Sequence, residues 1–81
     1  MKLNRRLERL RRAPVDVSLE ELLAALESAG FERVRTRGSH HIYRHPLGRV
    51  QLTIPFRRPI KPVYVRQALA AIEEVRDEHD S

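Results

Sequence analysis

The residues best suited to chemistry lie in one short segment, 37–46, with the sequence RGSHHIYRHP. This segment holds three of the four histidines, and it lies inside a forty-residue stretch, 33–72, that contains no Asp or Glu. The stretch carries nine basic residues, which are Arg33, Arg35, Arg37, Arg44, Arg49, Arg57, Arg58, Lys61 and Arg66. An imidazole titrates near pH ~6.5 and exchanges protons readily at neutral pH. Histidines set among cations therefore predict acid–base chemistry on a polyanion.

His40 is the first candidate for this chemistry. It follows the turn Gly38-Ser39 and begins a predicted strand, so we expect its ring to be accessible. Such a histidine suits removal of a proton from a ribose 2′-hydroxyl, while arginines on the same sheet bind phosphate and stabilise the developing charge. The alternative is a surface histidine that only hydrogen-bonds RNA. Residue types alone leave both interpretations open.

The neighbours of His40 divide between the two faces of the sheet, because side chains alternate along a strand. We expect Ile42 to face the core, which places His40 at the edge of the core side and Tyr43 on the open face. An aromatic ring on the open face could stack on a base; the alternative is that Tyr43 is a half-buried core residue. His45 is expected to be a turn residue bonded to the backbone, with a second proton carrier as the alternative.

No metal or other cofactor is expected. The histidines at 40, 41 and 45 lack the spacing of a standard zinc motif, and the chain has no cysteine. Magnesium-dependent nuclease sites need carboxylates, and the stretch 33–72 has none. The composition therefore favours a metal-independent site.

The elements that must position these residues can be predicted from local patterns. Ser18 and Glu21 form a capping box, an apolar stripe with helical spacing follows, and Gly30 supplies the stop, which predicts a helix over 18–29. Alternating residues predict strands over 31–37, 40–45 and 49–54, with turns at Gly38-Ser39 and Pro46-Leu47-Gly48. Pro62 precedes a second amphipathic helix over 63–76.

This order predicts an α+β fold with the α-β-β-β-α layout of double-stranded-RNA-binding domains (dsRBDs). The short loops favour a three-stranded antiparallel sheet, with two helices on one face. We predict a basic N-terminal extension over 1–17, the folded domain over 18–76 and an acidic tail over 77–81. Residues 1–12 are expected to form a frayed, solvated helix, and the acidic end of the chain from Glu73 is expected to fray as well.

Composition limits the class of protein. Eighty-one residues make one small domain, and a net charge of +5 favours an anionic partner, nucleic acid first. We expect no signal peptide, no membrane span and a cytoplasmic location.

Several of these motifs together resemble the HicA-type toxins. The resemblance rests on Ala29-Gly30-Phe31, on the segment 37–46, on a strand ending in Ile54-Pro55, and on Lys61-Pro62 leading into the last helix. It covers roughly residues 18–75. One departure is Arg57, because many members of the family have a histidine shortly after the proline of the third strand.

The resemblance implies a dsRBD-like fold and an mRNA-cleaving toxin, neutralised by a HicB-type antitoxin that covers the active site. The family's catalytic histidine matches His40, and its turn glycine matches Gly38. The expected RNA contacts are Arg37, Gly38, Ser39, His41, Tyr43, Arg44 and Lys61. Two alternatives remain at this point, a non-catalytic RNA-binding module and a small domain that binds an acidic protein.

Overall fold

The computed structural model describes residues 2–47 and 49–80, and the side chains of 3–47 and 49–76. Helix α1 (Lys2–Arg12) and a short 3-10 turn (Pro14–Asp16) precede helix α2 (Leu19–Ser28). Strands β1 (Glu32–Arg37), β2 (His40–Arg44) and β3 (Gln51–Pro55) follow, and helix α3 (Pro62–Asp80) ends the chain. None of the described helices is both long and apolar enough to cross a membrane.

Helix α2 begins and ends where its sequence predicts. The Ser18 hydroxyl accepts the Glu21 N–H at 3.0 Å, and the Glu21 carboxylate accepts the Ser18 N–H at 3.2 Å, so the capping box is complete. At the other end Gly30 has a φ of +94°, and its N–H donates to the carbonyl of Glu27. The Phe31 N–H then donates to the carbonyl of Leu26, which closes the helix.

The three strands form an antiparallel sheet in the order β1-β2-β3. His40 lies opposite Arg37 on β1 and opposite Pro55 on β3, so it occupies the middle strand at one end of the sheet. The β1 register shifts between Arg33 and Arg35. Strand β1 is exposed along its whole length, which is consistent with its charged sequence and its place at an edge.

The core lies between one face of the sheet and the helices. Leu52 and Ile54 on β3 point into it, and α3 contributes Val65 and Ile72. The predicted α+β class, with its α-β-β-β-α order and antiparallel sheet, is confirmed. The turn predicted at Pro46-Leu47-Gly48 includes Gly48, which lies outside the described residues.

Helix α1 is part of this core, so the expectation of a frayed, solvated helix is wrong. Leu7 and Leu10 are 0% and 1% exposed and belong to the same apolar cluster as the leucines of α2. Arg9 pairs with Glu21 of α2 at 2.9 Å, and Arg11 pairs with Glu73 of α3 at 2.8 Å. Half-exposed ion pairs contribute little to stability because water screens them, whereas burying a leucine contributes about 1.5–3 kcal/mol. The leucines therefore dominate the docking of α1.

The C-terminal helix also extends further than expected. It was predicted to end near residue 76 and to fray from Glu73, but α3 continues to Asp80. Val75 is buried in the core, and Glu73 is held by Arg11. The contact with α1 stabilises this part of α3, and the local sequence of α3 gives no sign of that contact.

Candidate active site

The turn between β1 and β2 presents His40 at the end of the sheet. Gly38 has a φ of +57°, a conformation that favours glycine, and a Cβ at this position would meet nothing within 4 Å. His40 is exposed, and cross-strand neighbours have Cβ atoms about 4.5–5.5 Å apart. Arg37 on β1 is the cross-strand neighbour of His40, so the two side chains start from adjacent Cβ atoms. The predicted accessibility of His40 agrees with this position.

A cleft of about 260 Å³ opens on the β3 side of His40. We call it the His40 cleft, and it is lined by Ser39, His40, Pro55, Arg57, Pro59, Ile60, Lys61 and Tyr64. Arg57 and Lys61 are the two cations among these residues, and none of the lining residues is acidic. Ile60 is buried and fixes the segment between β3 and α3 in the core. The cleft therefore combines a proton-exchanging ring with a positive wall and a partly apolar floor.

The segment that carries Arg57 is attached to the rest of the fold at several points. The Phe56 N–H donates to the carbonyl of Ser39 at 2.6 Å, and the Arg57 N–H donates to the carbonyl of Pro55 at 2.9 Å. Arg58 forms an ion pair with Glu20 at the start of α2, which lowers the pKa of the Glu20 carboxyl. The bond between Arg58 and Pro59 is cis. These contacts hold the positive wall of the cleft against the turn at His40.

Sequence reasoning missed Arg57 and Tyr64 as members of the site. Tyr64 lies in the first turn of α3, where its N–H donates to the carbonyl of Lys61 at 3.0 Å. A basic, aromatic and proline-rich run directly after a strand, Pro55-Phe56-Arg57-Arg58-Pro59, was the available signal for Arg57. The sequence offered no comparable signal for Tyr64, which resembles an ordinary helix residue.

The prediction for the two faces of β2 is wrong. Tyr43 is only 4% exposed and lies in the core opposite Leu52, so its ring is not available to stack on a base. Burial raises the pKa of its phenol, and the nearby Glu27 adds to this rise. Ile42 lies on the opposite face, between Arg35 and Thr53 in the strand register, and it is not part of the apolar core cluster.

His41 shares the core side with Tyr43. Its ring is half-buried and stacks on Phe56, with the ring centroids 3.7 Å apart and the planes at 17°. Burial lowers the pKa of the His41 imidazole, and the positive charge of Arg33 lowers it further. The neutral ring is therefore favoured, and little of it is available for the RNA contact predicted from the sequence.

His45 is a structural residue. Its Nε2 lies 3.0 Å from the carbonyl of Ala29, and its Nδ1 accepts the N–H of Leu47 at 3.0 Å. Nε2 must therefore carry the proton and donate it to the carbonyl of Ala29. The predicted role as a turn residue bonded to the backbone is confirmed. A second role as proton carrier is not compatible with a ring that is 8% exposed and fully bonded.

Arg44 lies at the other end of β2, four residues from His40, which places it about 13 Å away along the strand. Glu32 is its cross-strand neighbour on β1. Within the described residues no group of three or more His, Cys, Asp and Glu side chains is arranged to hold a metal ion.

The fold and the cleft define a small, basic α+β protein with an accessible histidine beside a cationic wall. The family model described as "HicA toxin of bacterial toxin-antitoxin" matches residues 19–73, about two thirds of the chain. The chain therefore belongs to the HicA toxin family, and this membership implies an antitoxin partner. No curated protein and no solved structure matches the chain significantly.

Proposed function

We propose that this toxin is a metal-independent endoribonuclease that cleaves mRNA in the cytoplasm, with His40 as its acid–base residue. One observation carries the proposal, namely the exposed His40 ring in a cleft whose charged wall, Arg57 and Lys61, is entirely positive. A phosphodiester is the substrate group that such a combination suits best.

The reaction needs only groups that the cleft, the substrate and the solvent supply. His40 removes the proton of a ribose 2′-hydroxyl, and the 2′-oxygen attacks the adjacent phosphorus. The new bond between phosphorus and the 2′-oxygen forms as the bond to the 5′-oxygen breaks, and the leaving 5′-oxygen takes a proton from solvent. Arg57 and Lys61 stabilise the negative charge on the phosphoryl oxygens. The products are a 2′,3′-cyclic phosphate and a 5′-hydroxyl end.

The other proposed RNA contacts are inferred from where their residues lie relative to the His40 cleft. Arg37 flanks His40 on β1, and Gly38 and Ser39 bring the backbone close enough to contact the RNA strand. Tyr64 provides the aromatic surface for a base in place of the buried Tyr43. Arg44 binds a phosphate further along the strand.

The direct test is cleavage of a single-stranded RNA by purified protein in EDTA, with His40→Ala as the variant. We expect wild type to cut and to leave cyclic phosphate ends, and the variant to lose roughly 10²–10⁴-fold in rate. The matched control is the same oligonucleotide with 2′-O-methyl groups, which should bind but stay intact because it lacks the nucleophile.

The non-catalytic RNA-binding module makes the opposite prediction. In that case neither protein cuts RNA, and His40→Ala binds the 2′-O-methyl oligonucleotide as well as wild type does. That pair of results would replace the proposal with the binding function.

A HicB-type antitoxin is proposed to neutralise the toxin by covering the His40 cleft. The purified complex should then fail to cut RNA, and the backbone amides of Ser39 and His40 should exchange more slowly than in the free toxin. An inactive complex in which these amides exchange freely would place the antitoxin elsewhere on the surface.

A further inference from the structure

His41 is a half-buried histidine with no place in the proposed reaction. Its Nδ1 is fully buried and has no hydrogen-bond partner among the described residues. Burying a polar atom without a hydrogen-bond partner is unfavourable, so an apolar residue would be the simpler choice for packing alone. The contacts of the imidazole ring indicate what this side chain contributes instead.

The ring of His41 supports Phe56 through parallel stacking at 3.7 Å. Phe56 lies immediately after β3 and packs against the edge of the core. The backbone N–H of Phe56 donates to the carbonyl of Ser39, which is the residue before His40. Phe56 is therefore held from two directions, by the ring of His41 and by the turn that presents His40.

Arg57 is the next residue in the chain, and it forms part of the positive wall of the His40 cleft. Its N–H donates to the carbonyl of Pro55, so the two preceding residues determine where its side chain begins. A shift of Phe56 would move Arg57 relative to His40. A displacement of about 1 Å in a catalytic group can cost about 10²-fold in rate.

We propose that His41 is a positioning residue, whose ring holds Phe56 and thereby fixes Arg57 across the cleft from His40. The catalytic consequence rests on the function proposed above, whereas the positioning itself does not. On this account neighbouring histidines on β2 have separate tasks. His40 exchanges the proton, and His41 supports the wall that binds the phosphate.

The kinetic test compares His41→Ala, Arg57→Gln and the double variant in RNA cleavage. Because His41 acts through Arg57, we expect each single change to lower kcat/KM by roughly 10–10²-fold and the double variant to be little worse than Arg57→Gln alone. His41→Phe keeps an aromatic face against Phe56 and should stay near wild type. Losses that multiply in the double variant would overturn the proposal.

The structural test does not depend on cleavage. Hydrogen exchange of the Phe56 amide, followed by NMR, should be faster in His41→Ala and unchanged in His41→Phe, while the amides of Leu22 and Ile72 serve as core controls. If His41→Ala does not fold, His41→Leu removes the aromatic face while retaining bulk and should give the same result. Unchanged exchange at Phe56 in a folded variant without the ring would overturn the proposal.

The two tests separate the two claims. If Phe56 exchange responds as expected but wild type cuts no RNA, the positioning role stands and the proposed endoribonuclease fails. If wild type cuts RNA and removal of the His41 ring changes neither exchange nor rate, the endoribonuclease stands and the positioning role fails.

Discussion

At the residue scale, Gly30 and Gly38 both have positive φ angles, but their surroundings differ. A Cβ at Gly30 would lie 2.7 Å from Nε2 of His45, whereas a Cβ at Gly38 would meet nothing within 4 Å. Gly38→Ala should therefore cost only the backbone strain, about 1–2 kcal/mol. Gly30→Ala should cost clearly more, because it also displaces a ring bonded to Ala29 and Leu47.

Urea denaturation of the two alanine variants measures this difference. Both changes add one methyl group at a positive φ, so each serves as the control for the other. Equal losses of stability would show that the contact between Gly30 and His45 is not a constraint on the fold.

His41 gives a prediction for pH. Its pKa in the folded protein is lowered from the ordinary value of 6.5 by burial and by the charge of Arg33. The stability that this depressed pKa contributes is therefore present above pH 6.5 and is lost as the pH falls through the lowered value. His41→Phe, which cannot take up a proton and leaves no buried nitrogen without a partner, should remove this part of the pH dependence.

The measurement is the free energy of unfolding of wild type and His41→Phe at several values of pH between 8 and 4. His40 and His45 are common to both proteins, so the difference isolates His41. We expect wild type to lose stability relative to the variant as the pH falls below 6.5. Parallel curves would contradict the lowered pKa.

At the element scale, α1 is a structural part of the domain. Leu7 is fully buried, and α1 packs against α2 and α3, so Leu7→Ala should cost about 2–5 kcal/mol. Leu47 is 64% exposed, and Leu47→Ala should change the free energy of unfolding by less than about 0.5 kcal/mol. Chemical denaturation compares the two. A Leu7 variant as stable as the Leu47 variant would mean that α1 is not docked.

Local patterns predicted the elements better than their packing. The capping box of α2 and the alternation in β3 are local signals, and the structure has both elements. The burial of α1 was not predictable in the same way, because its leucines occur among six basic residues and their partners lie on other helices. The faces of β2 were ambiguous because each face offers one histidine and one large apolar residue, and Leu52 and Ile54 of β3 settle the choice.

The candidate site, like the fold, was predictable only where its residues are close together in the sequence or stand out by charge. His40 and its turn are contiguous in the sequence, and Lys61 could be included because of its charge and the resemblance. Arg57 and Tyr64 join the cleft only because the segment between β3 and α3 folds back onto the turn at Ser39. That contact depends on the tertiary structure, so no local pattern reveals it.

At the scale of the whole molecule, the distribution of charge predicts a salt dependence. Each phosphate neutralised on a single strand contributes about 0.7 to the slope of log K against log salt concentration. Lys61→Gln should therefore weaken binding of a 2′-O-methyl RNA and reduce this slope by about 0.7. Arg5→Gln removes the same charge from an exposed position on α1 that does not line the His40 cleft, and it should leave the slope unchanged.

Binding titrations over a range of salt concentrations give these slopes. An equal reduction for both variants would mean that net charge, rather than the His40 cleft, attracts the RNA. A reduction for Arg5→Gln alone would place the RNA on α1.

Induced expression of wild type beside His40→Ala in bacteria tests the role of His40 in the cell. Protein levels are matched, and growth and total RNA are followed together. We expect growth arrest and loss of mRNA with wild type only. Growth arrest and mRNA loss of equal extent with the variant would contradict the role of His40. Normal growth and intact mRNA with both proteins would contradict the toxin endoribonuclease itself.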